Sequence, residues 1–108
     1  MSRIDLLKGF LKENSNDSFS RYALSLEHVK LGQNEDARRE FETVRSKDPD
    51  YVATYYQLGQ LYRAMSMKDA AEKTFRAGIE VAQKQGDEHT RSELESALEM
   101  LMAEGGTE

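Results

Sequence analysis

The sequence predicts an all-α fold: an α-solenoid of antiparallel helix pairs with about six helices. Three observations carry that prediction. Leu24, Ala37 and Phe41 recur 34 residues later as Leu58, Ala71 and Phe75, and a fixed period in this range marks stacked supersecondary units that bury one another's faces. Apolar residues follow the i, i+3, i+4 spacing of amphipathic helices along most of the chain. One proline and seven glycines among 108 residues leave few obligatory breaks, which suits helices joined by short turns.

Ile4, Leu7, Phe10 and Leu11 place a short amphipathic helix over 3–13, broken by Asn14-Ser15-Asn16-Asp17. Asp17 is expected to cap the next helix, 18–31, because its carboxylate accepts from free first-turn amides. Gly32 ends that helix, since glycine tolerates the left-handed conformation at a helix C-terminus. Asn34 is expected to cap a helix over 35–47, with Ala37, Phe41 and Val44 as its stripe, and Pro49 stops it. A further helix runs over 51–65 through Tyr55, Leu58, Leu61 and Tyr62. Another covers 69–84, with Ala71, Phe75, Ile79 and Ala82 inward. Gly86-Asp87 closes it and caps a last helix, 88–103, built on Leu94, Ala97, Leu98 and Leu101.

Helices in such a pair approach closely only where one presents a small residue to the other's bulk. Gly59 and Ala71 are such positions, and Ser25 fills the Gly59 slot 34 residues earlier. Phe41 and Phe75 then fill the space between pairs. With these residues the chain resembles the tetratricopeptide repeat family. The first full copy is 18–51 (Leu24, Ser25, His28, Gly32, Ala37, Phe41, Val44, Pro49). The second is 52–85 (Tyr55, Leu58, Gly59, Tyr62, Ala71, Phe75, Gly78, Gln83). Tyr55 stands where the family favours Trp, and Tyr62 where it favours Tyr. Arg21, His28 and Gln83 depart from the pattern, and the loss of proline at Gln83 should let its helix run on toward Gln85.

Subtracting 34 from Phe41 and Val44 gives Leu7 and Phe10, so helix 3–13 reads as half of an earlier repeat. Adding 34 to Leu58 and Gly59 gives Ser92 and Glu93, so the signature is lost there. Residues 87–103 therefore read as an acidic capping helix, as repeat arrays need at their ends. The organisation expected is a single domain over 1–104, with 105–108 as a flexible tail.

Charge is unevenly placed. Residues 1–86 hold 14 Lys+Arg and 13 Asp+Glu, a net of +1, while 87–108 hold Arg91 against seven acids, a net of −6. No basic stripe appropriate to a phosphate backbone exists, so no nucleic-acid partner is expected. Cysteine is absent, which excludes disulfides and Cys-based zinc sites. Asp5 and Lys8 interrupt the N-terminal apolar residues, and no run approaches a membrane span. Helix 3–13 lacks the strongly basic face of a membrane-surface helix. A cytoplasmic location and no membrane partner are the expectations. His28 and His89 stand in no metal-binding pattern, His28 replacing a packing tyrosine. Nucleophile motifs and phosphate loops are lacking, and the carboxylates read as solvated helix faces. No enzyme activity, cofactor or metal is expected.

The resemblance implies a protein–protein interaction module, because tetratricopeptide arrays bind peptides on a concave groove lined by the first helix of each pair. Carried over residue by residue, the lining is Phe19, Tyr22, Leu26, Val29 and Lys30 in the first copy. In the second it is Tyr56, Gln60 and Arg63, flanked by Ala53 and Ala64. Tyr22 and Leu26 stand where some members carry the Lys and Asn that grip a chaperone's C-terminal carboxylate, so that ligand is not expected. Two alternatives stay open. The last helix could cover this face, or the chain could form a homodimer through the groove or its terminal helices.

Overall fold

The computed structural model describes residues 1–104, so the expected tail at 105–108 lies outside the described residues. The described residues form six helices: α1 (Arg3–Glu13), α2 (Ser18–Lys30), α3 (Asn34–Lys47), α4 (Ala53–Ala64), α5 (Lys68–Gln85) and α6 (Glu88–Glu104). They fall into two compact units, α1–α3 up to Tyr51 and α4–α6 from Val52 onward.

In the first unit α1 packs on α2, and α2 on α3. Leu7 is buried with Ala23 and Leu24, flanked by Ile4 and Leu11. The half-repeat thus buries the residue that matches Phe41. Ser2 and Asp5 start α1 with a reciprocal capping box. Arg21, a departure from the family pattern, donates to Glu40 of α3 at 2.7 Å and to the Ser15 carbonyl at 3.0 Å. The buried Ser25 hydroxyl donates to the Arg21 carbonyl at 2.9 Å, so it fills the small-residue slot without an unpaired group.

In the second unit α4 packs against α5, while α6 lies along α5 and touches α4. Phe75, Leu58, Ala71 and Leu94 are wholly buried. Two glycines make this possible. A Cβ at Gly59 would overlap the Phe75 ring, 2.6 Å from Cδ1 and 2.8 Å from Cζ. One at Gly78 would stand 2.5 Å from Tyr55 Cβ and 3.0 Å from Leu94 Cδ1. As expected without a proline at 83, α5 continues to Gln85.

The turns repeat as the helices do. Gly32 has φ +74°, Gly32 N donates to Val29 O, and Gln33 N donates to His28 O at 2.8 Å. Those two bonds are a Schellman motif. Thirty-four residues on, Ser66 N donates to Arg63 O and Met67 N to Tyr62 O at 2.8 Å, with Ser66 at φ 61°. A serine therefore sits in the left-handed conformation that glycine occupies in the first copy, at a steric cost. Ser66→Gly is expected to raise the unfolding free energy by about 0.5–1 kcal/mol, the relief of strain being partly offset by glycine's unfolded-state entropy. Urea denaturation measures it, and an unchanged or lowered midpoint contradicts it.

One predicted cap is corrected. Helix α3 begins at Asn34 itself, and Gln33 holds the cap position without a side-chain bond to the helix. The cause is local. Gln33 N closes the preceding turn, and its Oε1 lies 2.7 Å from His28 Nδ1, which draws the side chain toward α2. His28 is buried, in keeping with its place in the Tyr62 slot.

The other two predicted caps form. Asp17 accepts from Ser20 N at 3.0 Å and Ser20 Oγ at 2.6 Å, and Asp87 accepts from Thr90 N at 3.1 Å. The Ser20 hydroxyl, then the Ser20 amide, lowers the Asp17 pKa; Thr90 does the same for Asp87, again side chain first. A carboxylate whose folded pKa is depressed adds stability above its unfolded value and loses it as pH falls through the folded one. Melting temperature is therefore expected to drop as pH falls below about 4. The Asp17→Asn/Asp87→Asn variant should show a shallower acid slope, and equal slopes would contradict the cap assignment.

Candidate functional site

The residues expected to line a groove lie on two helices, one in each unit, and each face is described by itself. On α2, Phe19, Tyr22, Leu26 and Val29 are spaced i, i+3, i+7 and i+10, which sets them on one face, with Lys30 beside them. Phe19 is 64% exposed and Val29 39%, while Tyr22 and Leu26 are half-buried. The Tyr22 ring stands edge-on to Phe41 at 6.0 Å and 5.6 Å from the Tyr51 ring. Tyr51 was not foreseen as part of this face. Burial first, then the charges of Asp48 and Asp17, pushes its phenol above the ordinary tyrosine value. Asp48 in turn accepts from Ser18 Oγ at 2.7 Å, which ties the start of α2 to the end of α3.

On α4, Tyr56, Gln60 and Arg63 share a face at i, i+4 and i+7. They match Tyr22, Leu26 and Val29 at the 34-residue step. Tyr56 packs on Phe75 at 6.5 Å, as Tyr22 does on Phe41. The tyrosine–phenylalanine pair is therefore itself repeated, a signal available in the sequence. Both tyrosines brace the core as well as facing outward. A Tyr→Ala change there would mix lost packing with lost contact, so the tests below use Phe19, Val29 and Gln60.

Helix α6 flanks the α4 face without closing it. Tyr56 and Gln60 line an open cleft of about 300 Å³ whose other wall is His89, Ser92, Glu93, Ser96, Ala97 and Met100. At its end Arg63 Nε donates to both Glu104 carboxylate oxygens, at 2.9 and 3.1 Å. These bonds raise the Arg63 pKa and lower that of Glu104. The six α6 residues went unassigned because the repeat signature fails at Ser92 and Glu93. They share one helical face, at i, i+3, i+4, i+7, i+8 and i+11, but a mostly polar one that apolar periodicity does not mark.

Among the described residues, no group of three or more His, Cys, Asp or Glu side chains is placed to hold a metal ion, and no helix is long and apolar enough to cross a membrane.

The sequence model of the tetratricopeptide repeat matches residues 28–90. A tetratricopeptide repeat domain protein from Salinibacter ruber, solved by solution NMR, is 45% identical, with 84% of this chain and 90% of that one covered and a TM-score of 0.76. PcrH, solved in complex with the chaperone binding region of PopD, is 16% identical over 94% of this chain and 77% of that one, with a TM-score of 0.88. The TPR2B domain of yeast Sti1, solved in a complex with pHsp70, is 15% identical over 94% and 81%, with a TM-score of 0.87. At such identities the last two show likeness of fold alone. No curated protein matches the chain. Matched by the family's sequence model over more than half its length, and by a close relative over most of it, the chain belongs to the tetratricopeptide repeat family.

Proposed function

We propose that the chain is a non-catalytic interaction module that takes up a peptide or protein segment through two rows. These are Phe19, Tyr22, Leu26, Val29 and Lys30 on α2, and Tyr56, Gln60 and Arg63 on α4. The observation that carries the reading is the α2 row. Phe19 and Val29 stand exposed beside two half-buried apolar side chains on a single face. Contiguous exposed apolar surface of this kind marks interaction sites. PcrH and the Sti1 domain, which share the fold, were solved with protein or peptide partners, and this supports the same mode of action here. A cytoplasmic setting belongs to the same reading.

Photo-crosslinking tests it. A benzoyl-phenylalanine placed at Phe19 or Gln60 should give discrete partner adducts in a native lysate, and one placed at the exposed Arg76 of α5 should not. Adducts only from Arg76 would overturn the reading.

A second reading, homo-oligomerisation, is favoured by one observation on α1. Phe10 holds the repeat position of Val44 and Gly78, both buried, yet it is 46% exposed, with Leu6 at 44%. Light scattering after gel filtration decides it: a concentration-independent monomer would remove this reading.

A further inference from the structure

We propose that the cleft between α4 and α6 seats a cationic, Lys- or Arg-bearing segment of a partner protein, with Glu93 as the residue that selects for positive charge. The proposal rests on the interaction-module reading and adds the partner's chemistry.

Shape comes first. About 300 Å³ is enough for one or two side chains. The cleft offers an aromatic ring, Tyr56, backed by Phe75, and the flexible thioether of Met100, which is 63% exposed. Such surfaces receive the aliphatic stem of a lysine or arginine while its charged head stays at the rim, and the tyrosine face attracts the cation directly. Gln60, Ser92 and Ser96 supply neutral hydrogen-bonding groups.

Charge decides the sign. The lining holds one carboxylate, Glu93, and no Lys or Arg. Arg63 is committed to Glu104, whose charge Lys68 also faces, and Arg91 to Glu88 and Glu95. Among the described residues Glu93 pairs with His89, at 3.4 Å, a ring that carries charge only when protonated. Across residues 87–104 six acids face one arginine, a net of −5. Even with Arg63 paired to Glu104, the remaining charge is negative, so an anionic segment is repelled whereas a cationic one is steered in. The same field disfavours a second copy as the occupant, because two α6 faces would bring like charges together.

The test uses the full chain, ¹⁵N-labelled, titrated with three short peptides of matched length. Each carries one leucine, and the remainder is Lys/Arg, Asp/Glu or Ser/Gln. The Lys/Arg peptide should shift the amides of Tyr56, Glu93, Ser96 and Met100 and bind more weakly as salt rises. Glu93→Lys should weaken it about tenfold, with helicity unchanged by circular dichroism. Ser96→Trp, which fills the cleft without changing charge, should also abolish the shifts. Absence of shifts with the Lys/Arg peptide overturns the proposal. So does equal binding of the acidic or neutral peptide in the cleft, although the interaction-module reading then stands. A dimer by light scattering with α6 amides protected would make a second copy the occupant and also overturn it. Failure of the crosslinks from Phe19 and Gln60 would instead remove the underlying reading.

Discussion

Phe75→Ala is expected to lower the unfolding free energy by about 3–5 kcal/mol, the range for deleting a buried aromatic side chain. Phe75 is fully buried. Its ring backs Tyr56 and occupies the space that Gly59 leaves vacant. Collapse into the cavity is limited because α5 also carries the buried Ala71 and Thr74 on that side. The same geometry makes the effect of Gly59→Ala depend on context. In the native chain the added methyl overlaps the Phe75 ring, and overpacking of that kind costs about 1–3 kcal/mol. In the Phe75→Ala chain the overlap is gone, and replacing a mid-helix glycine gains about 1 kcal/mol of helix propensity. Gly59→Ala should therefore destabilise one background and stabilise the other. Urea denaturation of the four proteins in the cycle measures this. Equal signs in both backgrounds would contradict the packing described.

Leu94→Ala is expected to cost about 2–5 kcal/mol, although it lies beyond the point where the repeat signature fails. Leu94 and Leu101 are buried on one stripe of α6, with Ala97 between them. Leu94 reaches the backbone of α5 at Gly78. Terminal helices of repeat arrays stabilise by covering an apolar face that would otherwise meet water. The loss should appear as a lower urea midpoint and as faster amide exchange in α4 and α5, not in α6 alone. A change confined to α6 amides would mean that α6 frays independently and caps nothing.

The second repeat was the most legible part of the chain. The 34-residue step specified helix pairs and their small-residue contacts, because both are carried by side chains that the repeat must bury. His28 and Arg21 were harder. Both depart from the family pattern, and their roles are set by hydrogen bonds that the repeat spacing does not encode. His28 meets Gln33, while Arg21 meets Glu40 and Ser15. The misplaced cap at Asn34 has the same origin, since Gln33 is drawn to His28 instead of to the helix it precedes.

On the candidate site, the spacing along α2 and along α4 sets each helix's expected residues on one face of that helix. What it could not supply was the second wall. His89, Glu93 and Met100 reach the cleft only because α6 packs on α5, and no local pattern in 88–103 announces that docking. Nor could spacing tell Arg63 that Glu104 would neutralise it.

The most direct test of the central claim, that the exposed α2 row is the partner-binding surface, is quantitative affinity capture from native lysate with three baits. These are the native chain, Phe19→Asp/Val29→Asp, and Arg76→Asp as an exposed control on α5. Both row residues are exposed, so all three baits should show the same helicity and nearly the same melting temperature. The account predicts specific preys captured by the native chain and the control and lost with the row variant. The same preys retained by Phe19→Asp/Val29→Asp would contradict it.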